Sequence, residues 1–276
     1  MNRSPDWMRV RAPGTPPREI DSSVAHPARI WDYWLGGQDN FAADRETGDQ
    51  ILAAFPDMVA NARADRAFLG RAVRYLAGEA GMRQFLDIGT GIPAAGNTHE
   101  IAQEVAPGSR VVYVDNDPVV LAHARALLVG DGSVMTDYVD ADLRRPEAVL
   151  EAAARTLDFD RPVAVLLLGI LEFIPDDNQA RTIVKRLVDA VPSGSHLAIA
   201  HSTTEVNRTA MEEAARLWND GGSTPLTLRD AAGLERFLAG LDLVEPGVVS
   251  CALWRPDPAD EEVRPVAQFC AVGRKP

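Results

Sequence analysis

The sequence predicts an α/β fold built on a mostly parallel sheet, and three observations carry that prediction. Short apolar runs at 85–88, 110–114, 136–139, 162–168 and 196–200 alternate with segments of helical periodicity. The runs break off at glycine or aspartate, as strands do where a parallel sheet opens to its loops: Gly89, Asp115, Asp140 to Asp142 and Gly169. The last two apolar runs, about 243–253 and 265–273, have no helix between them and are split by Trp254-Arg255-Pro256-Asp257-Pro258. They are expected to form an antiparallel pair that closes a seven-stranded sheet.

Composition sets the bounds. A chain of 276 residues with 46% apolar content can build one large α/β domain with an appendage. No apolar run approaches the ~20 residues that span a bilayer, and the opening M-N-R-S-P-D-W-M-R-V-R lacks the apolar segment of a secretory signal. A cytoplasmic protein without a membrane partner is expected. A net charge of −12 disfavours nucleic acid as partner. Cys251 and Cys270 are too few for a disulfide framework or a zinc site and read as reduced, buried residues on late strands.

From the N-terminus, residues 1–25 read as a flexible leader rich in proline and arginine. Residues 26–78 read as a helical cap. Ile30, Trp31, Trp34 and Leu35 keep helical spacing up to Gly36-Gly37, a second helix runs from Asp39 or Asn40 to Phe55, and a third covers 57–77. Trp31 and Trp34 are expected in the core. Tyr33, Asn40 and Arg45 flank the double glycine and are expected on a ligand-facing lid. On the third helix Leu69, Ala72, Val73 and Leu76 form the buried stripe, and Arg63, Arg66, Arg71 and Arg74 a solvated face.

Residues 79–276 read as the main domain. In Q-F-L-D-I-G-T-G-I-P-A-A-G-N, at 84–97, a buried strand runs into Gly89-Thr90-Gly91, and Pro93 is expected to open a helix. Glycines let backbone approach a ligand closely, and the free N–H groups of a helix start favour a polar or anionic group. Asp87 lies inside the strand. It either accepts a hydrogen bond from a ligand amine or caps the turn. Asp115, followed by Asn116, is placed to take the ribose hydroxyls of a nucleoside, leaving Asp117 as cap of the helix at Pro118. Asp142, next to apolar Leu143, is placed against an adenine. Gly169, Ile170 and Glu172 follow the fourth strand and are expected beside the reacting centre. His201 ends the fifth strand, where a structural role is favoured over catalysis. Thr227 is expected to cap a helix over 227–238.

The series Asp87, Asp115 and Asp142 on successive strand ends resembles class I S-adenosylmethionine-dependent methyltransferases, which implies a Rossmann-like sheet with an antiparallel C-terminal strand. A closer resemblance lies in H-P-A-R-I-W-D-Y-W-L-G-G-Q-D-N-F-A-A-D-R, N-A-R-A-D-R-A-F-L-G-R, F-L-D-I-G-T-G-I-P, Y-V-D-N-D-P and E-F-I-P-D-D. These are similar to an actinobacterial S-adenosyl methyltransferase family once described as a domain of unknown function. One departure is Glu172, where the family pattern implies His. The resemblance implies S-adenosyl-L-methionine as cofactor and S-adenosyl-L-homocysteine as product but hardly bears on the acceptor, for which a small molecule is expected; the sequence carries no metal motif. The cofactor would touch Asp87, Gly89, Thr90, Gly91, Asp115, Asn116, Asp142, Leu143, Gly169 and Ile170, with Asn40 and Arg45 from the lid. Where the acceptor must lose a proton, Glu172, His201 and Tyr33 are the candidate bases. The alternatives are an NAD-dependent oxidoreductase using Gly89-x-Gly91-x-x-Ala94, and a non-catalytic cofactor-binding module.

Overall fold

The computed structural model describes residues 20–123, 135–221, 224–257 and 263–276. The sheet is built around β1 (Gln84–Ile88), all five of whose residues are buried. A strand covered on both faces is mainly apolar, as Phe85, Leu86 and Ile88 are, and its two polar residues are hydrogen-bonded: Gln84 to the backbone at Asp158, and Asp87 to Thr98. β1 pairs in parallel with β2 (Arg110–Asp115) on one side and β4 (Ala164–Leu168) on the other. β3 (Thr136–Asp140) lies outside β2, and β5 (His196–Ser202) outside β4, both parallel. β8 (Gln268–Arg274) then runs antiparallel along the whole of β5, from His196 opposite Arg274 to Ser202 opposite Gln268.

The expected sixth strand at 243–253 is in fact two short ones. β6 (Asp242–Leu243) and β7 (Val249–Ser250) pair antiparallel with the same outer edge of β8, and the chain leaves the sheet between them at Gly247, where φ is +83°. Among the described residues the order is therefore β3-β2-β1-β4-β5-β8-β6, with β7 also on the outer edge of β8: eight strands, of which β8 alone is reversed. β8 fills a place inside the sheet.

Alternate residues feed two cores. Leu86, Ile88, Val112, Val114, Leu167 and Ile199 face α6 (Pro146–Ala153), α7 (Asp177–Asp189) and α9 (Ala231–Phe237). Phe85, Val111, Tyr113, Leu166 and Ala198 face α3 (Met58–Gly78) and α4 (Thr98–Val105). A third cluster joins α1 (Pro27–Trp34), α2 (Ala42–Ala54) and α8 (Arg208–Gly221) through Ile30, Trp34, Ile51, Met211 and Trp218. The cap is thus divided: α3 packs on the sheet, whereas α1 and α2 pack with α8, from far along the chain. α5 (118–123) follows β2, and the rest of its expected length lies outside the described residues.

Five local expectations are corrected. The helix after the glycine loop begins at Thr98 instead of Pro93, with Asn97 as N-cap residue and Glu100 accepting from the Asn97 N–H at 3.3 Å. Thr227 is not a cap: Asp230 is, accepting from Gly233 N. The helix starts late because Arg229, just ahead of it, is drawn inward to the Leu171 and Ile174 carbonyls and the Asp177 carboxylate. Arg71 is not solvated either; it donates to the carbonyls of Trp254 and Cys251. Arg66 is likewise engaged, as described below. Cys251 and Cys270 are free and buried, Cys251 on a single helical turn instead of a strand.

Order also begins before His26. Residues 1–19 of the expected leader lie outside the described residues, but Ala25 is buried and Arg29 donates to the carbonyls of Asp21 and Val24. Arg29 Nε lies 3.5 Å from Asp44 and 3.8 Å from Asp117, and His26 Nδ1 lies 2.6 Å from Asp117. Asp44 further accepts from the backbone N–H groups of His26 and Phe41. Burial alone raises the Asp117 carboxyl, but the His26 contact, the Val119 N–H and Arg29 outweigh it and leave it below its ordinary value. This buried cluster fastens α1 to α2 and to the end of β2. Arg29→Ala strands two buried carboxylates and should lower the unfolding free energy by about 3 kcal/mol. Urea unfolding checks this; a loss under about 0.5 kcal/mol, the range of ordinary surface substitutions, would show that the cluster does not hold the cap.

Candidate functional site

A cavity of about 390 Å³ opens over the carboxyl ends of β1, β2, β3 and β4, beneath α1. A parallel sheet places its ligand crevice there, and the volume falls in the range of about 300–1,000 Å³ common for small-molecule sites. Its lining contains Asp87, Gly89, Thr90, Gly91, Asp115, Asn116, Asp142, Leu143, Gly169 and Ile170, which the sequence had brought together. α1 and the following turn contribute Trp31, Asp32, Leu35, Gly36 and Gly37, and α3 contributes Asp65 and Arg66.

The glycine loop is held by its neighbours. Gly89 has φ +77°, and a Cβ there would stand 2.6 Å from the Ile170 side chain. Both facts require glycine. Gly91 has φ +66° with nothing within 4 Å of its notional Cβ, so it faces open space in the cavity. The Asp115 carboxylate joins two loops: Oδ2 accepts from Gly91 N at 3.0 Å, and Oδ1 from Asn116 N and Asp117 N. Burial raises its pKa against these bonds. Asp115 therefore also caps, a role the sequence had left to Asp117, which accepts from Val119 N.

Asp87 is not bonded to the backbone N–H groups of the turn that it could have capped. Its Oδ2 accepts from the Thr98 hydroxyl at 2.6 Å, and burial lifts its carboxyl to about 6. The start of α4 is not offered to a ligand. Gly96 N and Asn97 N donate to Glu100, and His99 N to the Tyr113 hydroxyl. Arg66 secures the loop ahead of α4 by donating to the carbonyls of Ala94 and Ala95 and to Asn97 Oδ1. Asp142 Oδ1 accepts from the backbone N and Nε of Arg144, and Leu143 is buried beside it.

Five expected site residues do not line this cavity. Asn40 donates to Asp32 and to the Gly37 carbonyl, and Arg45 donates to the Asn40 carbonyl and side chain. They shape the lid turn from behind. Tyr33 donates to Asp49 at 2.6 Å, on the outside. His201 has both ring nitrogens engaged. Nε2 faces Arg229 Nη1 at 2.8 Å, and Nδ1 faces the Ser202 carbonyl at 2.8 Å. A guanidinium only donates and a carbonyl only accepts, so Nδ1 carries the proton and Nε2 accepts. Burial drives its pKa down to about 3, and neutral His201 is a structural bridge with no nitrogen left for a substrate.

Glu172 is fully buried behind the cavity. Its Oε2 accepts from Ser202 N at 2.9 Å, while Oε1 has no hydrogen-bond partner among the described residues. Ser202 Oγ donates to Gln268, and Gln268 Nε2 reaches Asp65 at 3.3 Å. Asp65 keeps part of its side chain open to the cavity while protein shields the rest. Burial first, then the nearby Glu172 charge, pushes its carboxyl up to about 7. Asp65 was missed in the sequence, although it extends the stripe Leu69, Ala72, Val73 and Leu76 by one turn. An acid on an apolar stripe is the signal that could have found it.

An α/β sheet with this order, a single reversed strand and an acid-lined cleft at its carboxyl edge defines the class I methyltransferase fold. The chain belongs to the S-adenosyl methyltransferase family, whose sequence profile matches residues 13–276. The crystal structure of a DUF574 family protein from Streptomyces avermitilis is 46% identical, over 94% of this chain and 100% of that one, with a TM-score of 0.89. A candidate methyltransferase from Thermobifida fusca is 40% identical, over 92% and 96%, with a TM-score of 0.85. A candidate S-adenosyl-L-methionine-dependent methyltransferase from Mycobacterium ulcerans is 30% identical over 153 residues, 54% of this chain but 44% of its own length. The match thus spans under half of that relative. Among the described residues no helix is long and apolar enough to cross a membrane, and no cluster of acids, His and Cys could hold a metal ion.

Two outcomes follow for the site. Gly89→Ala should destabilise the chain by at least ~1–3 kcal/mol, the cost of one strained non-glycine residue before the Ile170 overlap is added, as read by thermal unfolding. Glu172 carries a carboxyl raised from 4.5 to about 7. Between those values the folded chain binds more protons than the unfolded one, so stability falls as pH rises. Glu172→Gln removes that penalty. It should be the more stable form above pH 7, by about 3 kcal/mol at ~1.4 kcal/mol per pH unit, and its advantage should vanish towards pH 4.5. A pH-independent difference in urea midpoints would contradict the assignment.

Proposed function

We propose that the cavity binds S-adenosyl-L-methionine and that the chain transfers its methyl group to a small-molecule acceptor. The observation that carries this reading is the convergence of Asp87, Asp115 and Asp142, from three successive strand ends, with an open Gly91 on one cavity. The fit is chemical as well as spatial: the glycine leaves room for a ligand at the loop, and an acid-rich wall suits a cationic sulfonium. When bound, the cofactor supplies an electrophilic methyl on positively charged sulfur.

The protein's own residues then position and enclose. The Gly89-Thr90-Gly91 loop, with Asp87 beneath it, receives the amino-acid end. Asp115 and Asn116 receive the ribose, and Asp142 with Leu143 the adenine. Gly169 and Ile170 border the place where the acceptor arrives. Because a sulfonium disperses charge in the transition state, orientation in a dry site is the main contribution asked of the fold. α1 and its glycine turn are the lid, and Asn40 and Arg45 act on the ligand only through the shape of that turn.

Calorimetric titration of the full chain tests this. S-adenosylmethionine and S-adenosylhomocysteine should bind in the micromolar range, and NAD should not. Asp115→Asn keeps an acceptor for the loop N–H groups and should weaken binding about tenfold or more, the scale of one charge-assisted hydrogen bond lost. Binding of NAD alone would replace the reading with a dehydrogenase. Cofactor binding without label transfer to any cell-extract component would reduce it to a binding module.

A further inference from the structure

Behind the main cavity lies a second one of about 20 Å³, lined by Trp31, Trp34, Glu172, Ser202, Met211 and Trp218 among others. Trp31 lines both. The smaller space is the size of a single water or one small head group. Its one ionisable wall is Glu172, fully buried, with Oε1 lacking a protein partner among the described residues. Asp65 stands on the main-cavity side and is close enough for the Glu172 charge to act on it. Gln268 and Ser202 bridge the two carboxyl groups.

Resting on the reading that the main cavity holds the cofactor, we infer that the methyl acceptor carries an ammonium group on an apolar body, seated between Asp65, Glu172 and the face of Trp31. Nothing cationic in the protein occupies that place among the described residues. The two guanidinium groups that act on these acids are committed elsewhere: Arg66 to the loop at 94–97, and Arg229 to Leu171, Ile174, Asp177 and His201. An anion there would be repelled by both carboxylates, and a neutral group would leave their burial cost unrelieved. A cation lets both acids ionise and accepts the aromatic faces of Trp31 and Trp34, whose centroids are 6.2 Å apart. Both carboxyls are held near neutrality, at about 7, so a bound cation shifts them readily to the charged form. Ser202 and Gln268 are positioning residues: they touch the acids and orient them.

The test uses the full chain with S-adenosylhomocysteine present and three probes of one shape: 2-phenylethylamine, 2-phenylethanol and 3-phenylpropionate. The amine should bind about tenfold more tightly than the alcohol, the order expected of one desolvated cation–aromatic and carboxylate contact, and the acid should not bind. In Glu172→Gln and in Asp65→Asn, both near-isosteric, that preference should fall several-fold. Equal binding of amine and alcohol, preference for the acid, a preference that survives both variants, or binding of none of the three overturns the inference. If S-adenosylhomocysteine itself fails to bind, the cofactor reading is what falls; the same amine titration without it still decides the ammonium site.

Discussion

The structure depends most on one half-buried carboxylate. Asp115 sits at the end of β2 and accepts three backbone N–H groups, one from the glycine loop after β1 and two from its own turn. Strand pairing fixes β1 and β2 side by side but says nothing about the loops beyond them. Asp115 makes those loops one unit. A carboxylate offers about four acceptor positions, and three are in use, so any hydroxyl pair that reaches Asp115 must share it with the Gly91 N–H. Ligand binding and loop geometry are coupled at a single side chain.

A second buried ionic cluster does the same for the cap. Arg29, His26, Asp44 and Asp117 connect α1, α2 and the end of β2. α1 also supplies Trp31 and Asp32 to the cavity wall. The lid is therefore registered against the strand end whose acids it faces, and it rests on α8 through Trp34 and Trp218. Its core is shared with α8, from far along the chain.

The strand-end acids were legible in the sequence for a topological reason. Parallel strands joined by helices must bring their carboxyl ends to one edge, so an acid that ends a strand is near its neighbours' acids whatever the packing. Asp87, Asp115 and Asp142 needed no more than that. Asp65, Arg66 and Arg229 lie on or beside helices, and which way they point depends on where another element lands. Periodicity put Arg66 on the solvent face, yet the loop at 94–97 comes over it. The start of α4 was misread because proline at 93 is compatible with a first helical turn, whereas Glu100 and Thr98 have their partners ready one turn later. His201 lies inside β5 and Glu172 on the single helical turn after β4, and burial, which sequence position does not report, separates a structural bridge from an acid with an oxygen to spare.

The insertion of β8 between β5 and the short edge strands has a consequence for biosynthesis. Seven residues of β5 pair with β8, so until residues 268–274 have left the ribosome β5 is an exposed, apolar edge. Unpaired edges of this kind template wrong pairings. The first five strands can assemble in order as they emerge, but the chain remains prone to self-association until this last reversed strand slots in.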